Sequence, residues 1–186
     1  MSIGKQLGSR IRIIRKQQNR TLEEISSYCG FTKSLLSKIE NGVTTPPIST
    51  LMKIAESLGV TVSDLLEENK VEGTVYTPQS TYKQNKNWIK TEKGYSFYAF
   101  AASRQDKIMQ PYYFVAKKGE IKNHVLSHSG EEFLFVLEGE MKYRVANTEY
   151  TLTPGDTIYF TSLEEHTLTP ITDEVRYLAV FAVTPE

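Results

Sequence analysis

The chain has 186 residues, with 22 Lys and Arg against 22 Asp and Glu, three His, one Cys and 39% apolar residues. At roughly 100–200 residues per domain, that length accommodates one medium domain or two small ones. Balanced charge excludes a uniformly basic coat for nucleic acid, a single Cys excludes an intramolecular disulfide framework, and no apolar run approaches the ~18 residues of a membrane span, so a cytoplasmic chain is expected.

The balance hides an asymmetry. Residues 1–62 hold nine cations against four anions, and the remainder holds thirteen against eighteen. A basic N-terminal piece joined to an acidic one suggests nucleic-acid contact by the first and a separate task for the second. Hydrophobic periodicity changes near residue 70 as well. Before it, apolar residues recur at helical spacing: Ile3, Leu7, Ile11 and Ile14, then Leu22, Ile25 and Cys29, then Leu36 and Ile39. Ile48, Leu51, Ile54, Ala55 and Leu58 form a fourth stripe, and Leu65 and Leu66 a fifth. After a Gly- and Pro-containing connection, short β-branched and aromatic runs predict strands over 95–100, 112–115, 133–137, 141–145, 157–160 and 175–183.

Local signals punctuate the helical part. Thr21 with Glu24 is a capping box that starts a helix at Leu22. Gly30 can take the left-handed conformation that ends it, and Thr32 can cap the next helix, which Asn41-Gly42 stops. Pro46-Pro47 then precedes a fourth helix, where Pro costs little. Two short helices joined by a tight Gly turn form a DNA-reading unit. The pieces Thr21-Leu-Glu-Glu-Ile, 30–42, Pro47-Ile-Ser-Thr-Leu and 58–66 together resemble the λ-repressor-like, Xre-type family. That resemblance implies that the helix from Thr32 to Asn41 enters the major groove, with Thr32, Lys33, Ser34, Ser37 and Lys38 outward. Lys suits guanine edges and Ser either partner type. Arg15, Arg20, Asn41 and Thr44 would suit phosphates. Leu22 stands where many family members carry a Gln. Such domains read two half-sites as dimers, so a homodimer or higher homo-oligomer on double-stranded operator DNA is expected.

All three His lie in the second part, at 124, 128 and 166. His128 and Glu132 have three residues between them, Glu132 and Gly139 six, and Pro154-Gly155-Asp156 precedes His166. These two segments resemble the paired motifs of the cupin superfamily and imply an all-β double-stranded β-helix, or jelly-roll barrel. The fold class expected is therefore α + β in two domains: a five-helix head over 1–67, a linker over 68–80, and a cupin ligand- or metal-binding domain over 81–186. Leu126 replaces the first motif's leading His, and His124 lies ~7 Å further along an extended strand. His128, Glu132 and His166 remain as a metal-binding set. Two imidazoles and a carboxylate suit Fe(II), and Zn, Mn or Ni by ligand type. A metal-free ligand pocket is the competing reading. Strand alternation puts Leu134 and Val136 beside Glu132 on the barrel interior and Phe133 and Phe135 outside. Tyr98, Tyr113, Tyr143 and Arg176 are further candidates for the lining of an effector pocket.

The combined resemblance, to Xre–cupin regulators, implies a DNA-binding transcriptional regulator whose barrel senses a small molecule. A mononuclear iron enzyme resembling the hydroxypropylphosphonate epoxidases, which share the Glu132–Gly139 run and a His, Glu, His set, is the alternative. A cupin whose head only drives oligomerisation is a third.

Overall fold

The computed structural model describes residues 3–67, 69–83 and 87–182. Five helices form the N-terminal head: α1 (Ile3–Gln17), α2 (Leu22–Cys29), α3 (Lys33–Glu40), α4 (Ile48–Ser57) and α5 (Val62–Leu66). The apolar stripes meet in one core, where Ile11, Ile25, Leu36, Leu51 and Ile54 are fully buried. Both halves of the Thr21–Glu24 capping box are made, and Gly30 closes α2 at φ 70°, a conformation that a Cβ would strain. Thr32 accepts from the Leu35 N–H and starts α3. A second capping box, Thr61 with Asp64, starts α5 and escaped the sequence reading. Pro47 precedes α4 and supplies no side-chain cap.

A short helix, α6 (Gln79–Lys83), runs across the end of the expected linker, and Val71 within that linker makes a bridge to Arg104. Among the described residues the second half holds nine strands: β1 (Ile89–Lys90), β2 (Ser96–Ala99), β3 (Met109–Lys117), β4 (Glu131–Glu138), β5 (Met141–Val145), β6 (Thr148–Leu152), β7 (Thr157–Thr161), β8 (His166–Pro170) and β9 (Glu174–Ala182). They make a six-stranded sheet in the order β1-β2-β3-β9-β4-β7 and a three-stranded sheet in the order β6-β5-β8. Neighbouring strands pair antiparallel throughout. The result is the jelly-roll architecture expected. Alternation sends Phe114, Leu134, Val136, Tyr177, Ala179 and Phe181 inward. Val183, the end of the last expected strand, lies outside the described residues. Among the described residues no helix is long and apolar enough to cross a membrane.

Head and barrel are docked. The Ile48 N–H at the start of α4 donates to the Tyr95 hydroxyl at 2.9 Å, and the Ser63 hydroxyl donates to Gln110 Oε1 at 2.9 Å, both buried. The Glu92 N–H donates to the Thr45 carbonyl at 2.8 Å. The buried apolar side chains of both halves form one connected cluster.

Candidate functional site

The outward face of α3 follows from its inward one. Leu36 and Ile39 are buried, so Lys33, Ser34 and Lys38 face solvent with the capping Thr32, and Ser37 is half-buried beside them. Lys33 lies 3.2 Å from Glu23, but both side chains are well exposed, and such a pair exchanges readily for a phosphate or a base edge. Asn41 is exposed at the end of α3, with its Nδ2 donating to the Ser37 carbonyl at 2.8 Å. Its Oδ1 accepts from Arg12 Nη2 at 2.6 Å, and Arg12, absent from the expected phosphate set, is the α1 cation beside α3.

Three residues assigned to phosphates are placed elsewhere. Arg15 is buried: its Nε and Nη2 donate to the two carboxylate oxygens of Glu40 at 2.6 and 2.8 Å, joining α1 to α3. The guanidinium is held by a buried carboxylate, which a one-dimensional count of cations does not show. Arg20 turns back to donate to the Ser57 carbonyl at the end of α4. Thr44 donates to Glu92 across the seam with the barrel.

In the barrel, β4 carries Glu132, β8 begins at His166, and His128 lies just before β4. All three are buried, and their donor atoms lie within 4.8 Å of one another. His128 Nδ1 lies 3.1 Å from the Ser129 carbonyl, and His166 Nδ1 lies 2.8 Å from the Glu164 carbonyl. A carbonyl only accepts, so each Nδ1 carries a proton and Nε2 is the nitrogen turned toward the site. The two Nε2 atoms face Glu132 Oε2 at 3.4 and 3.6 Å. Tyr143, buried so that its hydroxyl stays protonated, donates to Glu132 Oε1 at 3.3 Å. His166 Nε2 has no hydrogen-bond partner among the described residues. Burial holds the His166 pKa below the ordinary imidazole value, against the opposing pull of Glu132, and so favours the ligating form. Two imidazole nitrogens and a carboxylate converging in a buried site, each oriented by an outer partner, fit a divalent cation. The cavity there is about 20 Å³, room for one water-sized species.

Residues 11–65 match the family model described as helix-turn-helix, and residues 112–181 match the cupin domain. A helix-turn-helix transcriptional regulator of Sinorhizobium fredii is 33% identical over 66 residues, 36% of this chain and 86% of that protein. The chain belongs to the helix-turn-helix transcriptional regulators. It is a DNA-binding regulator with a cupin sensing domain. PuuR of Escherichia coli, a regulator of the same type, is 26% identical over 148 residues, 80% of this chain and 78% of PuuR. Among solved structures, a transcriptional regulator from Vibrio cholerae superposes with a TM-score of 0.69 at 20% identity, over 98% of both chains. The hydroxypropylphosphonic acid epoxidase of S. wedmorenis shares the fold at a TM-score of 0.50 and 19% identity, over 96% of this chain and 97% of that one.

In this regulator the expected pocket lining divides. Tyr143 lines the cavity with the His and Glu set. Leu134 and Val136 are fully buried on the Glu132 face but pack the barrel interior away from the cavity. Tyr98 and Tyr113 pair across β2 and β3 on the opposite face from Phe97 and Phe114, and they make tilted and edge-on ring contacts with Tyr82, Trp88 and Phe100 instead. Arg176 alternates outward on β9 and pairs with Glu174 and Glu138 at 2.7 and 3.4 Å. Tyr95, His124 and Tyr177 take their places around the cavity. Strand parity would have excluded Tyr98 and Tyr113 once Phe97 and Phe114 were assigned to the core.

Proposed function

We propose that the regulator reads an operator through Thr32, Lys33, Ser34, Ser37 and Lys38 of α3, with Asn41 on the backbone, in the cytoplasm and as a homodimer on paired half-sites. The proposed units are the head over 1–67, the linker over 68–80 and the cupin domain over 81–186. The barrel takes a divalent ion on His128, Glu132 and His166, and a small effector changes how the two heads are presented. The observation that carries this reading is α3 itself: capped by Thr32, anchored by buried Leu36 and Ile39, and exposing Lys33 and Lys38 to solvent. Duplex containing the promoter beside the regulator's own gene tests it by fluorescence anisotropy. Lys33→Ala with Lys38→Ala should weaken specific binding at least about tenfold with the far-ultraviolet dichroism intact. Unchanged affinity would remove α3 from the interface.

The ion set also supports a second reading. Two His and one carboxylate with open positions suit Fe(II), which supplies redox chemistry with oxygen when bound. Iron, rather than Zn, Mn or Ni, would be needed for an epoxidase-like enzyme. Elemental analysis after reconstitution with each metal and desalting, followed by oxygen uptake with hydroxypropylphosphonate, separates the two readings. His128→Ala should lose the metal in either case.

A further inference from the structure

Between the head and the mouth of the barrel lies a second cavity of about 370 Å³, large enough for a small molecule where the one at the His and Glu set is not. One wall is the first turn of α4 and the other is the segment around His124. Pro47 leaves the start of this ten-residue helix without a side-chain cap, so the Ser49 N–H is among the unpaired donors of its first turn. Ser49 is only 8% exposed, lines the cavity, and its hydroxyl has no hydrogen-bond partner among the described residues. Thr50 and, one turn on, Lys53 line the same wall, and Lys93 faces them from the barrel. Neither lysine makes an ion pair among the described residues.

The opposite wall has the complementary chemistry. Glu165 supplies a carboxylate there. Donors and positive charge at one end, with a carboxylate at the other, describe a site for a short polar molecule.

We propose that this cleft is the effector site, and that it takes a small molecule with a carboxylate or phosphoryl group at one end and an amine at the other. The oxyanion sits on the Ser49 and Thr50 donors between Lys53 and Lys93, where helix dipole and charge both favour it. The amine faces Glu165. This deepens the regulator reading and rests on it for the word effector, but the binding itself stands apart from it. A ligand here touches α4 of the head and the barrel at once, so its affinity depends on their docking.

Amide shifts of the full-length protein test the site, titrated with glycine and with phosphoethanolamine against sodium chloride at equal ionic strength. Ser49 and Thr50 should move most, and the stronger of the two probes identifies the oxyanion as carboxylate or phosphoryl. Lys53→Gln and, as an independent variant, Lys93→Gln should each raise the half-saturation about tenfold, the weight of one charge-assisted hydrogen bond. Ser49 and Thr50 amides that stay still with both probes, or half-saturation unchanged in both variants, would overturn the proposal. So would a loss of ligand-free operator affinity in Lys53→Gln equal to that of the α3 double variant, because the cleft would then be a DNA-phosphate contact. Failure of operator binding in the wild type would defeat the regulator reading and leave the amide shifts to be judged alone.

Discussion

Glu40 receives Arg15 through both carboxylate oxygens, with the Glu40 side chain 1% exposed and that of Arg15 9%. Arg12 adds a third donor at 3.3 Å. Two charges withdrawn from water repay their desolvation only while each has the other, so the pair is asymmetric under mutation. Glu40→Ala would strand a buried guanidinium. We expect it to cost about 3–5 kcal/mol in urea denaturation of the full chain. A loss below about 1 kcal/mol would mean that Arg15 escapes to solvent and that the head does not depend on the pair. The buried imidazoles act through pH. Burial lowers the pKa of both His124 and His166 below the ordinary 6.5. The unfolded chain therefore takes up protons first as pH falls, and folding stability drops below about pH 6.5 and continues to drop toward the folded-state values. Metal-free protein should thus lose stability between pH 7 and pH 5 by urea denaturation, and His124→Gln should flatten part of that slope. A stability that rises with acid would contradict the neutral assignment of both rings.

At the scale of elements, α1 and α3 approach closely because position 8 has no side chain. A Cβ on Gly8 would meet the Ile39 carbonyl oxygen and lie 2.8 Å from that of Glu40. Ala is a better helix former than Gly by about 1 kcal/mol, yet here the added methyl must push two packed helices apart. Gly8→Ala is expected to destabilise the protein by roughly 1–3 kcal/mol net, read from the urea midpoint. A raised midpoint would show that α3 moves aside freely. The elements that sequence made legible are those whose burial is one-sided and periodic: the five head helices, and the six strands rich in apolar residues. Those it missed carry little such signal. β6 reads Thr-Glu-Tyr-Thr-Leu and has four of its five residues exposed at a sheet edge. β8 mixes His, Thr and Pro. β1 has only two residues. Within the candidate site, the His128, Glu132 and His166 spacing was legible as a motif. The fate of Arg15, Arg20 and Thr44 was not, because each is decided by a partner between 5 and 48 residues away in sequence.

Head and barrel together behave as one packed body joined through a polar seam. The Ile48 N–H to Tyr95 bond is buried, and Tyr95 itself stacks on His124 with ring planes 15° apart at 5.7 Å between centroids. The same ring borders the cavity of the His and Glu set, while Ile48 reaches into that lining from the head. An ion in the barrel and a molecule in the cleft thus share one wall, and that wall is the start of α4. Such a wall can pass information only if docked and undocked heads bind the ligand differently. The seam must then be strong enough to couple the halves and weak enough to be shifted by a few kcal/mol. Two buried hydrogen bonds and a shared apolar cluster place it in that range, because each bond contributes about 0.5–1.5 kcal/mol and leaving a buried donor unpaired costs about 1–3 kcal/mol. Calorimetry can measure this. The wild type is expected to unfold in a single transition. Tyr95→Phe with Ser63→Ala, which unpairs the Ile48 N–H and Gln110 Oε1 without enlarging any side chain, should split it into separate head and barrel transitions. A single transition in the double variant would place the coupling in the apolar cluster, and the α4 seam would lose its role as the element that a ligand shifts.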